Sequence, residues 1–172
     1  MKINNKFWVL ASISLCLHLY VNAQVEKTEA AFIYNFASFI NWPNDYQKGD
    51  FEIAVLGSSP IYKELETLTN GKKIGDQAIK IKKINTLKEL GITNILFVSN
   101  DQEYRLREVA KYTDTSPVLV ISEAEGSSKK GSTINFLFVD NKIKFELNQA
   151  LAEKKGMKLA DKLVKLSIPV SN

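Results

Sequence analysis

The chain has 172 residues, 45% hydrophobic and 24% charged, which suits one domain with an ordinary buried core. Its formal charge of +4 is spread over scattered lysines and only two arginines, Arg105 and Arg107, so the dense basic stripe of a nucleic-acid binder is excluded. It holds a single cysteine, Cys16, and a single histidine, His18.

At the start, Lys2 and Lys6 precede a mostly apolar run from Phe7 to Val21 that leads into Asn22-Ala23, the layout of a signal peptide cut after Ala23. The run is shorter than the roughly 20 residues a helix needs to cross a bilayer, and no second run follows it. Residues 1–23 are therefore expected to be a signal peptide and residues 24–172 one exported domain, with no membrane insertion after cleavage. Leu15 before Cys16 argues against lipid attachment at that cysteine. Cleavage removes Cys16 and His18, so the exported part has no thiolate nucleophile, Ser-His-Asp triad, His/Cys zinc site or disulfide.

From Val25 to Ile40, apolar side chains at Ala30, Ile33, Phe36, Ala37 and Ile40 follow the spacing of a helix with one buried face. Asn41 to Asp50 reads as a loop and Phe51 to Leu56 as a strand ending at Gly57; Ser59 and Pro60 then open a helix that stops near Asn70-Gly71. Ala78 to Ile84 is a strand near an edge, with lysines at 80 and 82 on a wet face. A helical turn at Leu87 to Leu90, a strand at Asn94 to Val98, a helix at Gln102 to Tyr112 and a strand at Val118 to Ile121 complete four alternations. Thr133 to Val139 and Lys142 to Leu147 form a hairpin about Asp140-Asn141, expected at the antiparallel margin of the sheet. Asn148 caps a helix ending before Gly156, and Leu159, Leu163 and Leu166 mark a last amphipathic segment. The fold class is α/β: one domain with a mostly parallel twisted sheet, helices on both faces, a C-terminal antiparallel hairpin and terminal helices.

Few motifs carry chemistry. Gly126 to Thr133 (GSSKKGST) imitates a phosphate-binding loop, but Ser132 stands where the lysine belongs and the loop runs into a strand, so it reads as a flexible connection. Gly57, Ser58 and Ser59, at a strand end before a helix, could offer amides to a small anionic ligand. Glu64 and Glu66 point to different helix faces, and Glu123 and Glu125 read as solvent-facing loop charges. No catalytic residue, metal site or cofactor site emerges. The helix-end segment AAFIYNFASFINWP is the most distinctive stretch; Phe32, Phe36 and Phe39 suit the core, while Tyr34 and Trp42 suit either the core, with Trp42-Pro43 plugging the end of the helix, or an exposed partner-binding patch.

Three blocks, AAFIYNFASFINWP, the VLGSSP turn and INFLFVDNKIKFELNQALAEKKGMKLADKLVKL, together resemble the YfiR family over nearly the whole exported chain and in the same order. The resemblance implies a periplasmic, non-catalytic inhibitor. It would bind the periplasmic part of a membrane diguanylate cyclase and hold its output low, with cyclic di-GMP signalling and biofilm formation downstream. It also implies a homodimer, since members dimerise. The best-known members carry disulfides that this chain lacks, so redox control is not carried over, and a membrane sensor kinase stands beside the cyclase as partner. A periplasmic small-molecule sensor with its ligand at Gly57, Ser58 and Ser59 is the alternative from the residues alone.

Overall fold

The three-and-four spacing of apolar residues does produce a helix in the computed structural model, which describes residues 24–170. This helix, α1, covers residues 24–39 and buries Ala30, Ile33, Phe36 and Ala37 against the sheet. The proposed signal peptide lies outside the described residues. Immediately after α1, β1 (Ile40–Asn41) pairs antiparallel with β9 (Lys158–Leu159), placing Ile40 opposite Leu159.

The main sheet contains β2 (Phe51–Leu56), β3 (Lys73–Ile74), β4 (Gln77–Ile84), β5 (Ile95–Val98), β6 (Leu119–Ser122), β7 (Ile134–Val139), β8 (Lys142–Leu147) and β10 (Ile168–Pro169). Their order is β10-β8-β7-β6-β5-β2-β4-β3. The central strands β4, β2, β5, β6 and β7 are mutually parallel, and β3 and β8 join them antiparallel. Because β5 lies on the opposite side of β2 from β4, the winding reverses between β2 and β5. That is the point where open α/β sheets form their ligand crevices.

Period-2 alternation divides the core into two layers. Phe51, Ile53 and Val55 of β2 pack with α1 and α2 (Ile61–Thr69), while Ala54 and Leu56 pack with α3 (Leu106–Tyr112) and the turn bearing Leu87 and Leu90. Helices thus cover both faces. The fully buried parallel strands need apolar residues on both sides, which is why ILFV and LVIS read as continuous runs. α2 begins where the Ile61 amide donates to the Ser59 hydroxyl at 3.3 Å, and it ends at Asn70 with Gly71 at φ 71°. Asn148 caps α4 (Gln149–Lys154), its side-chain oxygen accepting from the Leu151 amide at 3.0 Å.

Asp140 and Asn141 turn the β7–β8 hairpin with φ of 51° and 57°, the left-handed pair that the twist of a two-residue hairpin favours. The hairpin is not the margin of the sheet, however: β10 adds a parallel edge, Ile168 opposite Glu146. The last amphipathic segment also divides. Leu159 belongs to β9 and Leu163 of α5 (Asp161–Leu166) is buried, whereas Leu166 is exposed.

The connection from Gly126 to Thr133 runs into β7 as expected but is packed down instead of loose, with Ser127, Ser128, Ser132 and Thr133 buried. Gly131, at φ 108°, fits against α3, and a Cβ there would sit 2.5 Å from the Ala110 Cβ. Gly131→Ala should therefore cost about 1–3 kcal/mol through strain and overpacking, read as a lower denaturation midpoint.

Candidate functional site

The residues that the sequence put forward as site residues occupy two different settings. Tyr34 is half-buried on α1, its ring facing the Lys72 ammonium at 4.7 Å from the centroid. Trp42 is not on a surface at all. It is 4% exposed, its indole packs edge-on to Phe51 at 5.4 Å, and its N–H donates to the Ala37 carbonyl at 3.4 Å. It closes the end of α1 against β2 because an indole can fill that apolar corner only if its single donor finds a partner. The neighbouring Phe36 is likewise core, in a cluster with Phe32, Phe136 and Phe145.

Gly57, Ser58 and Ser59 stand at the reversal between β2 and β5, where a crevice is expected. Two of the turn's amides are engaged by the chain itself: Ser58 N–H lies 3.3 Å from Asp101 Oδ1 and 3.4 Å from Oδ2, and Gly57 N–H donates to the Ile84 carbonyl at 3.2 Å. Gly57 is at φ 94°, and a Cβ on it would fall 2.5 Å from Asp101 Oδ1 and 2.4 Å from Gln102 Cγ. An external anion at the Ser58 amide would have to displace Asp101.

The structure instead brings together acids that local sequence reading set aside. Glu29 lies on the buried face of α1, four residues before Ile33, and is 5% exposed. Glu123, expected to face solvent, is half-buried at the end of β6, with one carboxylate oxygen accepting from the Asn100 amide at 3.1 Å. Asn135, fully buried on β7, lies against the Ser122 hydroxyl at 2.9 Å and so fixes the strand end that carries Glu123. Glu29 and Glu123 share a cavity of about 300 Å³ with Val25 of α1 and Phe136, Leu137, Phe138 and Ile143 of the hairpin. Phe138, at its rim, is 61% exposed.

The electrostatics follow from this crowding. Burial first, and then the Glu123 and Glu26 carboxylates, push Glu29 up to about 8. Burial also raises Glu123, opposed by the Asn100 amide and reinforced by the Glu26 and Asp101 carboxylates. The Oε2 atoms of Glu26 and Glu29 are buried without a hydrogen-bond partner among the described residues. Among the described residues no group of three or more acidic, histidine or cysteine side chains is arranged to hold a metal ion. The one signal for Glu29 in the sequence was its place on the helix face that also carries Ile33, Phe36 and Ile40.

Among the described residues no helix is long and apolar enough to cross a membrane. Comparison with curated proteins finds no match to the chain. A family model described as YfiR/HmsC-like matches residues 26–168, from the first turns of α1 to the start of β10. The chain belongs to the YfiR/HmsC-like family.

Proposed function

We propose that this protein is a non-catalytic periplasmic regulator that binds the periplasmic part of a membrane signalling protein and represses its output. A diguanylate cyclase is the partner the family favours, with cyclic di-GMP and biofilm formation downstream, and a sensor kinase is the alternative. The observation that carries the reading is the family match over residues 26–168, since the family is one of regulators. Repression of this kind needs only tighter binding to the partner's quiet state than to its active one, so no reactive side chain is required.

The contact surface we assign includes Tyr34. Its half-buried ring, with Lys72 alongside, presents an apolar face and a polar tip of the kind that anchors interfaces. Trp42 would act indirectly, by holding the end of α1 that displays Tyr34. The test is capture of the membrane partner by tagged wild-type protein and by Tyr34→Ala. The expected result is at least a tenfold weaker capture by the variant with a melting temperature lowered by no more than about 4 °C; equal capture would remove Tyr34 from the interface.

A further inference from the structure

Glu29, more than nine-tenths buried, has an unpartnered Oε2 and lines a cavity whose other walls are almost entirely apolar. Glu123 lines the same cavity, and Glu26 lies one helical turn from Glu29 with its own buried, unpartnered oxygen. The salt bridges among the described residues engage other acids: Asp45, Glu52, Glu103, Glu108, Asp114 and Asp140. Among the described residues, these three neighbouring carboxyl groups therefore have no lysine or arginine partner.

Burying a carboxylate without a donor or counter-charge costs free energy that a suitable ligand would recover on binding. Glu29 holds its proton up to about 8, so a cation carrying N–H donors would bind as that proton leaves to solvent, satisfying Glu29 Oε2 and offsetting the neighbouring acidic charge. A bare metal ion does not suit, because the acids do not converge as ligands and the walls offer no further oxygen. Val25, Leu137, Phe138 and Ile143 favour a hydrocarbon body behind the charge, and about 300 Å³ is the size of a small-ligand pocket.

We infer that the pocket between α1 and the β7–β8 hairpin binds an organic cation, an ammonium or guanidinium group on an apolar stem, with Glu29 and Glu123 as its counter-charges. The site depends only on this chain's own residues, so it stands or falls separately from the regulatory reading above.

The test uses isotope-labelled protein purified from the periplasm, titrated with cyclohexylmethylammonium and with its neutral counterpart cyclohexylmethanol while amide resonances are followed. The ammonium compound should saturably shift the signals of Val25, Leu137 and Ile143 and bind at least tenfold more tightly than the alcohol. Glu29→Gln should weaken the ammonium at least tenfold and leave the alcohol unchanged, and Glu123→Gln, at a less buried position, provides a second and independent comparison. Equal binding of the two probes, undiminished ammonium binding in both variants, or no shift at tens of millimolar would overturn the inference. Adding the ammonium compound during membrane capture then locates the natural cation. Release of a captured partner places it on that partner's side chain, and retention places it on a free amine.

Discussion

Trp42→Ala should destabilise the protein by about 3–5 kcal/mol, the range for removing a large buried aromatic, and lower the denaturation midpoint accordingly. The indole fills the corner between the end of α1 and β2, touches Phe51, and uses its N–H on the Ala37 carbonyl, so its loss leaves a cavity and an unclosed helix end. Trp42→Phe should recover roughly half of that loss by refilling the ring volume without the donor. Tyr34→Ala, by contrast, removes a half-buried ring with one cation contact and should cost no more than about 1 kcal/mol. If Trp42→Ala melts like wild type, the indole is not the structural plug described above.

Glu29→Gln should raise stability at pH 8 by several kcal/mol. Folded Glu29 holds its proton up to about 8, whereas an unperturbed glutamate releases it near 4.5. Between those values the folded state binds one more proton than the unfolded state, so stability falls as pH rises through the window and is level above it. At 1.36 kcal/mol per unit, the span corresponds to a loss on the order of 5 kcal/mol. The groups facing Glu29 are Glu26 from α1 and Glu123 from the end of β6; the hairpin wall contributes only Phe136, Leu137, Phe138 and Ile143. The glutamine variant should lose this slope. Lys155 works in the opposite direction at higher pH. Burial, despite donation to the Thr113 hydroxyl and the Val118 carbonyl, lowers it from 10.5 to about 8, so stability climbs as pH rises between those values. Wild type should accordingly show a stability minimum near pH 8 in denaturant titrations, and Glu29→Gln should show only the alkaline rise. A wild-type curve that rises from pH 5 to pH 8 would contradict the burial of Glu29.

The parallel core was legible because its strands are apolar on both faces and are separated by turn and cap residues of definite chemistry. Gly57, Ser59-Pro60, Asn70-Gly71 and Asp140-Asn141 all stand where the backbone needs them. The short strands β1, β3, β9 and β10 were not legible, since two residues hold no periodicity. Their pairing is decided by what packs nearby, which is also why Leu159 and Leu163 fall in different elements. The acidic pocket escaped for a related reason. Its walls come from the start of α1, the end of β6 and the hairpin, far apart in the chain, and a lone glutamate among alanines and phenylalanines reads locally as a solvated charge. Trp42 was misplaced because an aromatic followed by proline suits a surface patch and a helix-end plug equally well; only the position of Phe51 separates the two.

The central claim is repression of a membrane signalling protein by binding, and cellular cyclic di-GMP measured after deletion and complementation of the gene tests it most directly. Deletion should raise the nucleotide several-fold, wild type should restore the low level, and a stably folded Tyr34→Ala protein should not. A deletion strain with unchanged cyclic di-GMP and an unaltered membrane sensor-kinase output would contradict the account.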